Sequence, residues 1–157
     1  MRDILIVDDD PAIASVVSLL LADEGWEVDV ESKQDLAAVQ ARVAARRPDC
    51  VLLDGASGRD YGDSWMTAEW LASLEPPIPA VMLTAHGAAV AEARAKDTER
   101  SRRAKFGAAV AKPFEIDELL AAVDAAMEMR PEAHGPVGRA ALTTRRRSRG
   151  RAARSAG

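Results

Sequence analysis

The 157-residue sequence predicts an α/β fold in which a parallel β-sheet lies between two layers of helices. Short runs of β-branched and aliphatic residues alternate with longer segments of helical pattern, which is typical of repeated βα units. Several strand-like runs are followed by charged or hydroxyl residues, and parallel strands bring such ends to one edge of a sheet. With 48% hydrophobic residues, the chain can form one compact domain with a core.

Five strands follow from these short apolar runs. The first is the run ILIV, which is followed at once by three aspartates, and the third and fourth are CVLL and AVML. The predicted strands are Ile4–Val7, Glu27–Glu31, Cys50–Leu53, Ala80–Leu83 and Ala108–Ala111.

Five helices fill the segments after the strands. They are predicted near Ala12–Glu24, Leu36–Arg46, Ser64–Leu74, Ala88–Arg103 and Glu115–Met129. Asp10 followed by Pro11 matches an N-cap and first helical position, because the carboxylate accepts unpaired amide hydrogens and proline lacks one. Since parallel crossovers are right-handed, this order favours a three-layer sandwich with helices on both faces of the sheet.

The net charge of −4 conceals two chemically different parts. Residues 1–129 hold 13 basic and 24 acidic residues, a net charge of −11, whereas residues 130–157 hold eight arginines against Glu132, a net charge of +7. The second part has no aromatic residue and too little apolar surface to offset the entropy of ordering. We therefore predict a domain over residues 1–129 and a disordered, arginine-rich tail over residues 130–157.

The cysteine content and the hydropathy of the sequence indicate the cellular compartment. Cys50 is the single cysteine, so no internal disulfide can form. The sequence begins without a basic and apolar signal segment, and no uninterrupted apolar stretch approaches 20 residues. We expect a cytoplasmic protein without a membrane partner.

Charged and hydroxyl side chains lie at the ends of four predicted strands. Asp8 and Asp9 follow the first strand, Asp54 ends the third, Thr84 the fourth and Lys112 the fifth. Neighbouring strands are about 4.8 Å apart, so these side chains can converge at the carboxyl edge of the sheet. Each residue alone could be a solvated loop charge or an ordinary strand end, but their joint placement favours a functional site.

This combination of side chains suits phosphoryl chemistry. Carboxylate oxygens are ligands that Mg²⁺ prefers, and the cation would remove the repulsion between the acids. Metal, ammonium and hydroxyl together could stabilise the negative charge on a transferring phosphoryl group. A carboxylate could then act as the nucleophile and become an acyl phosphate.

The set DD, D, T and KPF, at the ends of strands one, three, four and five, resembles the receiver domain of two-component response regulators. The resemblance covers about residues 1–129. It implies a flavodoxin-like (CheY-like) fold with strand order 2-1-3-4-5. It also implies that Asp54 is the phosphoacceptor, that Thr84 and Lys112 contact the phosphoryl oxygens, and that the Lys112–Pro113 peptide is cis.

Further implications concern the metal and the partners. Asp8, Asp9, Asp54 and the backbone carbonyl of Ala56 would bind Mg²⁺. The phosphoryl group would come from a histidine kinase or a phosphotransfer protein, and an unidentified downstream protein would recognise the phosphorylated form. The chain would not be an enzyme, but a receiver with Mg²⁺-dependent self-phosphorylation and slow hydrolysis of its own acyl phosphate.

Three features leave other questions open. The run RRRSRGRAAR allows an alternative function, a nucleic-acid-associated or scaffold protein that uses the tail and has a vestigial receiver fold; the intact DD, D, T and K set favours the receiver. The segment from Thr84 to Lys112 is longer than is usual for the family by about one helical turn. In addition, Ala109 stands three residues before Lys112, where the family commonly has an aromatic residue.

Overall fold

The computed structural model describes residues 2–54 and 62–129, apart from the side chains of residues 62 and 63. Five parallel strands form one sheet in the order β2-β1-β3-β4-β5, as the resemblance implied. The strands are β1 (Arg2–Val7), β2 (Trp26–Glu31), β3 (Cys50–Asp54), β4 (Ala80–Thr84) and β5 (Ala108–Ala111). The flavodoxin-like fold class is confirmed.

Helices cover both faces of the sheet. They are α1 (Pro11–Asp23), α2 (Leu36–Ala45), α3 (Gly62–Ser73), α4 (Gly87–Ala95), α5 (Glu99–Ala104) and α6 (Ile116–Glu128). Alternate strand residues point to opposite faces. Leu5 and Val7 of β1 therefore pack in the core beneath α2, α3, α4 and α5, whereas Ile4 and Ile6 pack in the core beneath α1 and α6.

One predicted helix is divided in two. The sequence predicted a continuous helix over Ala88–Arg103, but α4 stops at Lys96, whose φ of 54° is left-handed, and α5 begins after Thr98. Thr98 and Ser101 form a capping box, in which each side chain bonds the backbone of the other. The described residues therefore contain six helices, and the extra length of this segment forms a second short helix.

Contacts of side chains hold α5 against its neighbours. Arg100 donates to Glu92 of α4 with an Nη2 to Oε1 distance of 2.6 Å, and its guanidinium lies 4.6 Å from the ring centre of Trp65 in α3. Phe106, which follows α5, is buried and meets Trp65 edge-on at 5.3 Å between ring centres. The short helix is thus part of the core rather than a loose insertion.

Two predictions concern parts of the chain outside the described residues. The disordered tail over 130–157, with its boundary after residue 129, remains a prediction, and so does the ligand at Ala56. In the part of the chain that the structure describes, no helix combines the length and the apolar character needed to cross a membrane.

We predict that Gly107 is required for the close approach of β5 to α6. A Cβ atom at Gly107 would lie 2.6 Å from the Cβ of Ala126 and 2.7 Å from its Cα, and the backbone atom cannot move away freely. Gly107→Ala should therefore lower the free energy of unfolding by about 1–3 kcal/mol, as overpacking does. Urea unfolding of the purified protein measures this difference.

Gly87→Ala is the matched control, because a Cβ atom at Gly87 would meet nothing within 4 Å. Gly87 begins α4, so alanine there should leave stability unchanged or raise it by up to about 1 kcal/mol. Equal unfolding free energies for the two variants would contradict this account of the β5–α6 contact.

Candidate functional site

The carboxyl ends of four strands meet at one edge of the sheet, as the sequence predicted. Asp8 follows β1, Asp54 ends β3, Thr84 ends β4 and Lys112 follows β5. Asp8, Asp54 and Thr84 are buried, whereas Asp9 is exposed. Parallel pairing aligns these ends, because Val7 of β1 pairs with Leu53 of β3. In the same way, Asp54 of β3 pairs with Leu83 of β4.

Lys112 joins two of the acids. Its Nζ lies 3.0 Å from Oδ1 of Asp54 and 3.3 Å from Oδ2 of Asp8, and the side chain is 15% exposed. The backbone N–H of Lys112 donates to the carbonyl of Thr84 at 2.8 Å. This bond holds the backbone from which the Lys112 side chain extends against the end of β4. The Lys112–Pro113 peptide is cis, in agreement with the resemblance. One ammonium thus bridges carboxylates from β1 and β3.

Three carboxylates form a compact cluster. Asp8, Asp9 and Asp54 each offer an oxygen, and these oxygens lie within 4.8 Å of one another. Burial raises the pKa of Asp8; the backbone N–H of Asp10 opposes this shift, the charge of Asp54 adds to it, and Lys112 opposes it. Hard oxygen donors at this spacing match the requirements of Mg²⁺, which binds one or two carboxylates and keeps several waters. The residues present therefore fit a magnesium ion.

Asp10 belongs to the helix start rather than to the cluster. Its Oδ1 accepts from the backbone N–H groups of Ala12 at 3.0 Å and Ile13 at 3.3 Å, so it is the N-cap of α1, as predicted. Its own backbone N–H donates to Oδ1 of Asp8 at 2.9 Å. The turn into α1 thereby orients the buried carboxylate of Asp8.

Thr84 connects the site to the beginning of α4. Its hydroxyl oxygen accepts from the backbone N–H of His86 at 3.1 Å, and His86 is the N-cap residue of α4. The hydroxyl of Thr84 thus links the carboxyl end of β4 to the first turn of α4.

Gln34 is a residue of the site that the sequence analysis missed. Its Nε2 donates to Oδ2 of Asp54 at 2.9 Å and lies 3.5 Å from the main-chain oxygen of Asp54. Gln34 lies in the loop after β2, so this edge strand also contributes a residue to the site. Gln34 stands three residues after the end of β2, beyond the strand-end positions from which the other site residues were predicted. Ser64 adds a hydroxyl bond to the main-chain oxygen of Asp54 at 2.9 Å.

The arrangement supplies a nucleophile and groups that offset its charge. The two carboxylate oxygens of Asp54 are held by different donors, Lys112 on Oδ1 and Gln34 on Oδ2. Asp8 and Asp9 add negative charge beside it, which favours a divalent cation. A carboxylate in this setting can accept a phosphoryl group, because its negative charge and that of the incoming phosphate are both offset.

Comparison with known proteins places the chain in a family. The model of the response regulator receiver domain matches residues 4–124. The nitrogen assimilation regulatory protein NtrX of Azorhizobium caulinodans is 32% identical over 139 residues, covering 81% of this chain and 26% of that protein. The probable transcriptional regulatory protein TcrX of Mycobacterium tuberculosis is 34% identical over 125 residues, covering 74% of this chain and 46% of that protein. The chain thus spans between a quarter and a half of these curated relatives.

Solved structures give the same result. The receiver domain of NtrX from Brucella abortus matches with a TM-score of 0.63 and 28% identity, over 81% of this chain and 99% of that one. The chemotaxis response regulator CheY4 of Vibrio cholerae shares the fold with a TM-score of 0.62 and 22% identity, over 79% of this chain and 97% of that one. With the family model, the relatives and the fold in agreement, the chain belongs to the response regulator receiver domain family.

Proposed function

We propose that the chain is a phosphoacceptor receiver of a two-component or phosphorelay system, with Asp54 as the acceptor. The observation that carries this proposal is the position of the Asp54 carboxylate, which bonds Lys112 and lies in one cluster with Asp8 and Asp9. Membership of the receiver family supports it. The donor is the phosphohistidine of a sensor kinase or of a phosphotransfer protein, and the phosphorylated form signals by binding another protein in the cytoplasm.

The transfer is a displacement at phosphorus. A carboxylate oxygen of Asp54 forms a bond to phosphorus while the bond from phosphorus to the imidazole nitrogen breaks, and its electron pair stays on the imidazole. Lys112, already within hydrogen-bond distance of Asp54, turns its ammonium to the phosphoryl oxygens, and Thr84 donates its hydroxyl to them. These two residues offset the charge that the transferring group carries.

Asp8, Asp9, Asp54 and the backbone carbonyl of Ala56 would hold Mg²⁺ in this proposal. When bound, the ion supplies positive charge that offsets both the carboxylates and the phosphoryl oxygens. The chain turns over no separate substrate. It phosphorylates itself with the help of Mg²⁺, and slow hydrolysis of its own acyl phosphate returns Asp54 to the free carboxylate.

An apolar groove beside Lys112 is suited to the approach of the donor protein. The groove measures about 620 Å³ and lies between α1 and the segment after β5. Ile13, Val16 and Phe114 line it together with Lys112, and Val16 is 57% exposed. Because Lys112 belongs to both the groove and the acceptor site, a helix seated in the groove would bring its phosphohistidine to Asp54.

The output proceeds through α4. Thr84 holds the start of this helix through His86, and Arg94 near its end donates two hydrogen bonds to the carbonyl of Ala109, at 3.1 and 2.7 Å. The family's usual aromatic residue is absent at Ala109, and Phe106 is fixed in the core against Trp65. Movement of Thr84 to the phosphoryl group therefore loosens α4 at its first turn, without an aromatic side chain turning inward.

The first prediction tests the acceptor. Asp54→Asn should abolish the gain of one phosphoryl group after incubation with Mg²⁺ and acetyl phosphate, because the amide is not a nucleophile. Intact-protein mass spectrometry measures the gain. Asp49→Asn is the matched control, since Asp49 precedes the same strand at its opposite end and bonds the backbone N–H of Asp3. Equal phosphorylation of Asp54→Asn and wild type would refute the assignment.

The second prediction tests the metal ligands. Asp9→Asn should weaken Mg²⁺ binding about tenfold or more, since one of three clustered charges is lost and 1.4 kcal/mol corresponds to a factor of ten. Asp10→Asn is the control, because asparagine caps a helix as well as aspartate does. Isothermal titration calorimetry gives both affinities. The same loss in both variants, or in neither, would count against the cluster as the metal site.

The third prediction tests the output. Amide exchange of residues 84–106 should become about 2- to 10-fold faster in the phosphorylated protein, as the loss of a hydrogen bond worth about 0.5–1.5 kcal/mol implies. Residues 116–128 of α6 should not change. Phe106→Leu should show the same response as wild type. Constant exchange over residues 84–106, or a response that Phe106→Leu removes, would exclude this mechanism.

A further inference from the structure

Gln34 contacts the acceptor from a part of the sheet that the proposed chemistry does not use. Its side chain is half-buried, and its Nε2 lies 2.9 Å from Oδ2 of Asp54. The next residue, Asp35, is the N-cap of α2 and accepts from the backbone N–H of Ala38 at 2.7 Å. The backbone beside Gln34 is therefore fixed by the start of a helix, and the amide is aimed at the acceptor from a stable position.

The two donors on Asp54 differ in what phosphorylation does to them. Lys112 on Oδ1 carries a charge and can turn to the phosphoryl oxygens, where it still meets negative charge. Gln34 carries no charge, and its Nε2 lies 2.9 Å from Oδ2 of Asp54, an oxygen that changes from ionised carboxylate to neutral acyl oxygen on phosphorylation. A hydrogen bond to an ionised oxygen is roughly twice as strong as one to a neutral carbonyl. The amide of Gln34 therefore stabilises the free carboxylate more than it stabilises the acyl phosphate.

We infer that Gln34 shortens the lifetime of phosphorylated Asp54; this rests on the proposed function. In hydrolysis, the oxygen of a water molecule forms a bond to phosphorus and the bond from phosphorus to the Asp54 oxygen breaks. The electron pair returns to the Asp54 carboxylate, one proton of the water passes to solvent, and inorganic phosphate leaves. Negative charge grows on the carboxylate as the bond breaks, and the N–H of Gln34 stabilises that charge.

Gln34→Leu tests the inference, because leucine keeps much of the side-chain volume and removes the donor. The protein is labelled with acetyl phosphate bearing radioactive phosphorus, the donor is removed, and loss of label is followed at saturating Mg²⁺. The first-order decay should slow about fivefold in Gln34→Leu, in line with the weaker bond to a neutral oxygen. Gln40→Leu makes the same chemical change within α2 and should decay as wild type does.

The affinity for Mg²⁺ distinguishes an effect of Gln34 on hydrolysis from a structural effect of Gln34 on the metal site. Calorimetric titration should give Gln34→Leu an affinity for Mg²⁺ no weaker than that of the wild type, since removing a donor from Oδ2 of Asp54 leaves the carboxylate no less available to a cation. In ¹⁵N spectra of the wild type, the side-chain amide of Gln34 should shift when Asp54 is phosphorylated, because its acceptor loses charge. An unchanged resonance would contradict the contact with Asp54 on which the inference depends.

The outcomes distinguish a failure of the proposed function from a failure of the inference about Gln34. If the wild type takes up no label, the proposed function fails and the inference fails with it. If the wild type is labelled but Gln34→Leu decays at the wild-type rate or faster, the proposed function stands and the inference is wrong. A loss of Mg²⁺ affinity as large as the change in decay would also overturn it, because Gln34 would then act through the metal site.

Discussion

The ion pair that Lys112 makes with Asp54 and Asp8 is the interaction on which the site depends. It places one positive charge against two buried negative charges, with Asp9 as a third acid nearby. Burial, with the charge of Asp54, raises the pKa of Asp8, so its ionised form is less favourable in the fold than in the unfolded chain. One ammonium does not offset three neighbouring carboxylates, so the cluster favours the binding of a further cation. This excess of negative charge is the reason that the site favours a divalent cation.

Parallel topology makes this interaction possible. The acids and the ammonium come from β1, β3 and β5, which are separated along the chain by two to three helices. The order β2-β1-β3-β4-β5 brings their carboxyl ends together, and the fully buried runs of β3 and β4 keep the sheet rigid beneath them. The first turn of α4 is joined to this edge by the hydrogen bond from the backbone N–H of His86 to the hydroxyl of Thr84.

Sequence reasoning predicted the sheet and the residues at four strand ends, because continuous apolar runs and the polar residues after them depend on local sequence. It missed the division of the fourth helix because the helical sequence pattern continues past Lys96, whose left-handed backbone ends α4, and past Thr98, which caps α5. It missed Gln34, whose uncharged amide lies three residues beyond the end of β2 and not at the strand end itself. It correctly assigned Asp10 to capping, where the Asp-Pro pair is a strong local signal.

The central claim is that Lys112 offsets repulsion within the acid cluster and that a divalent cation can do the same. The most direct measurement is the urea unfolding free energy of Lys112→Met and of wild type, each with EDTA and with saturating Mg²⁺. The account predicts that the variant is less stable by about 2 kcal/mol or more in EDTA, because buried charges lose their partner, and that Mg²⁺ restores most of the difference. Equal stability of the two proteins in EDTA, or a deficit that Mg²⁺ leaves unchanged, would contradict it.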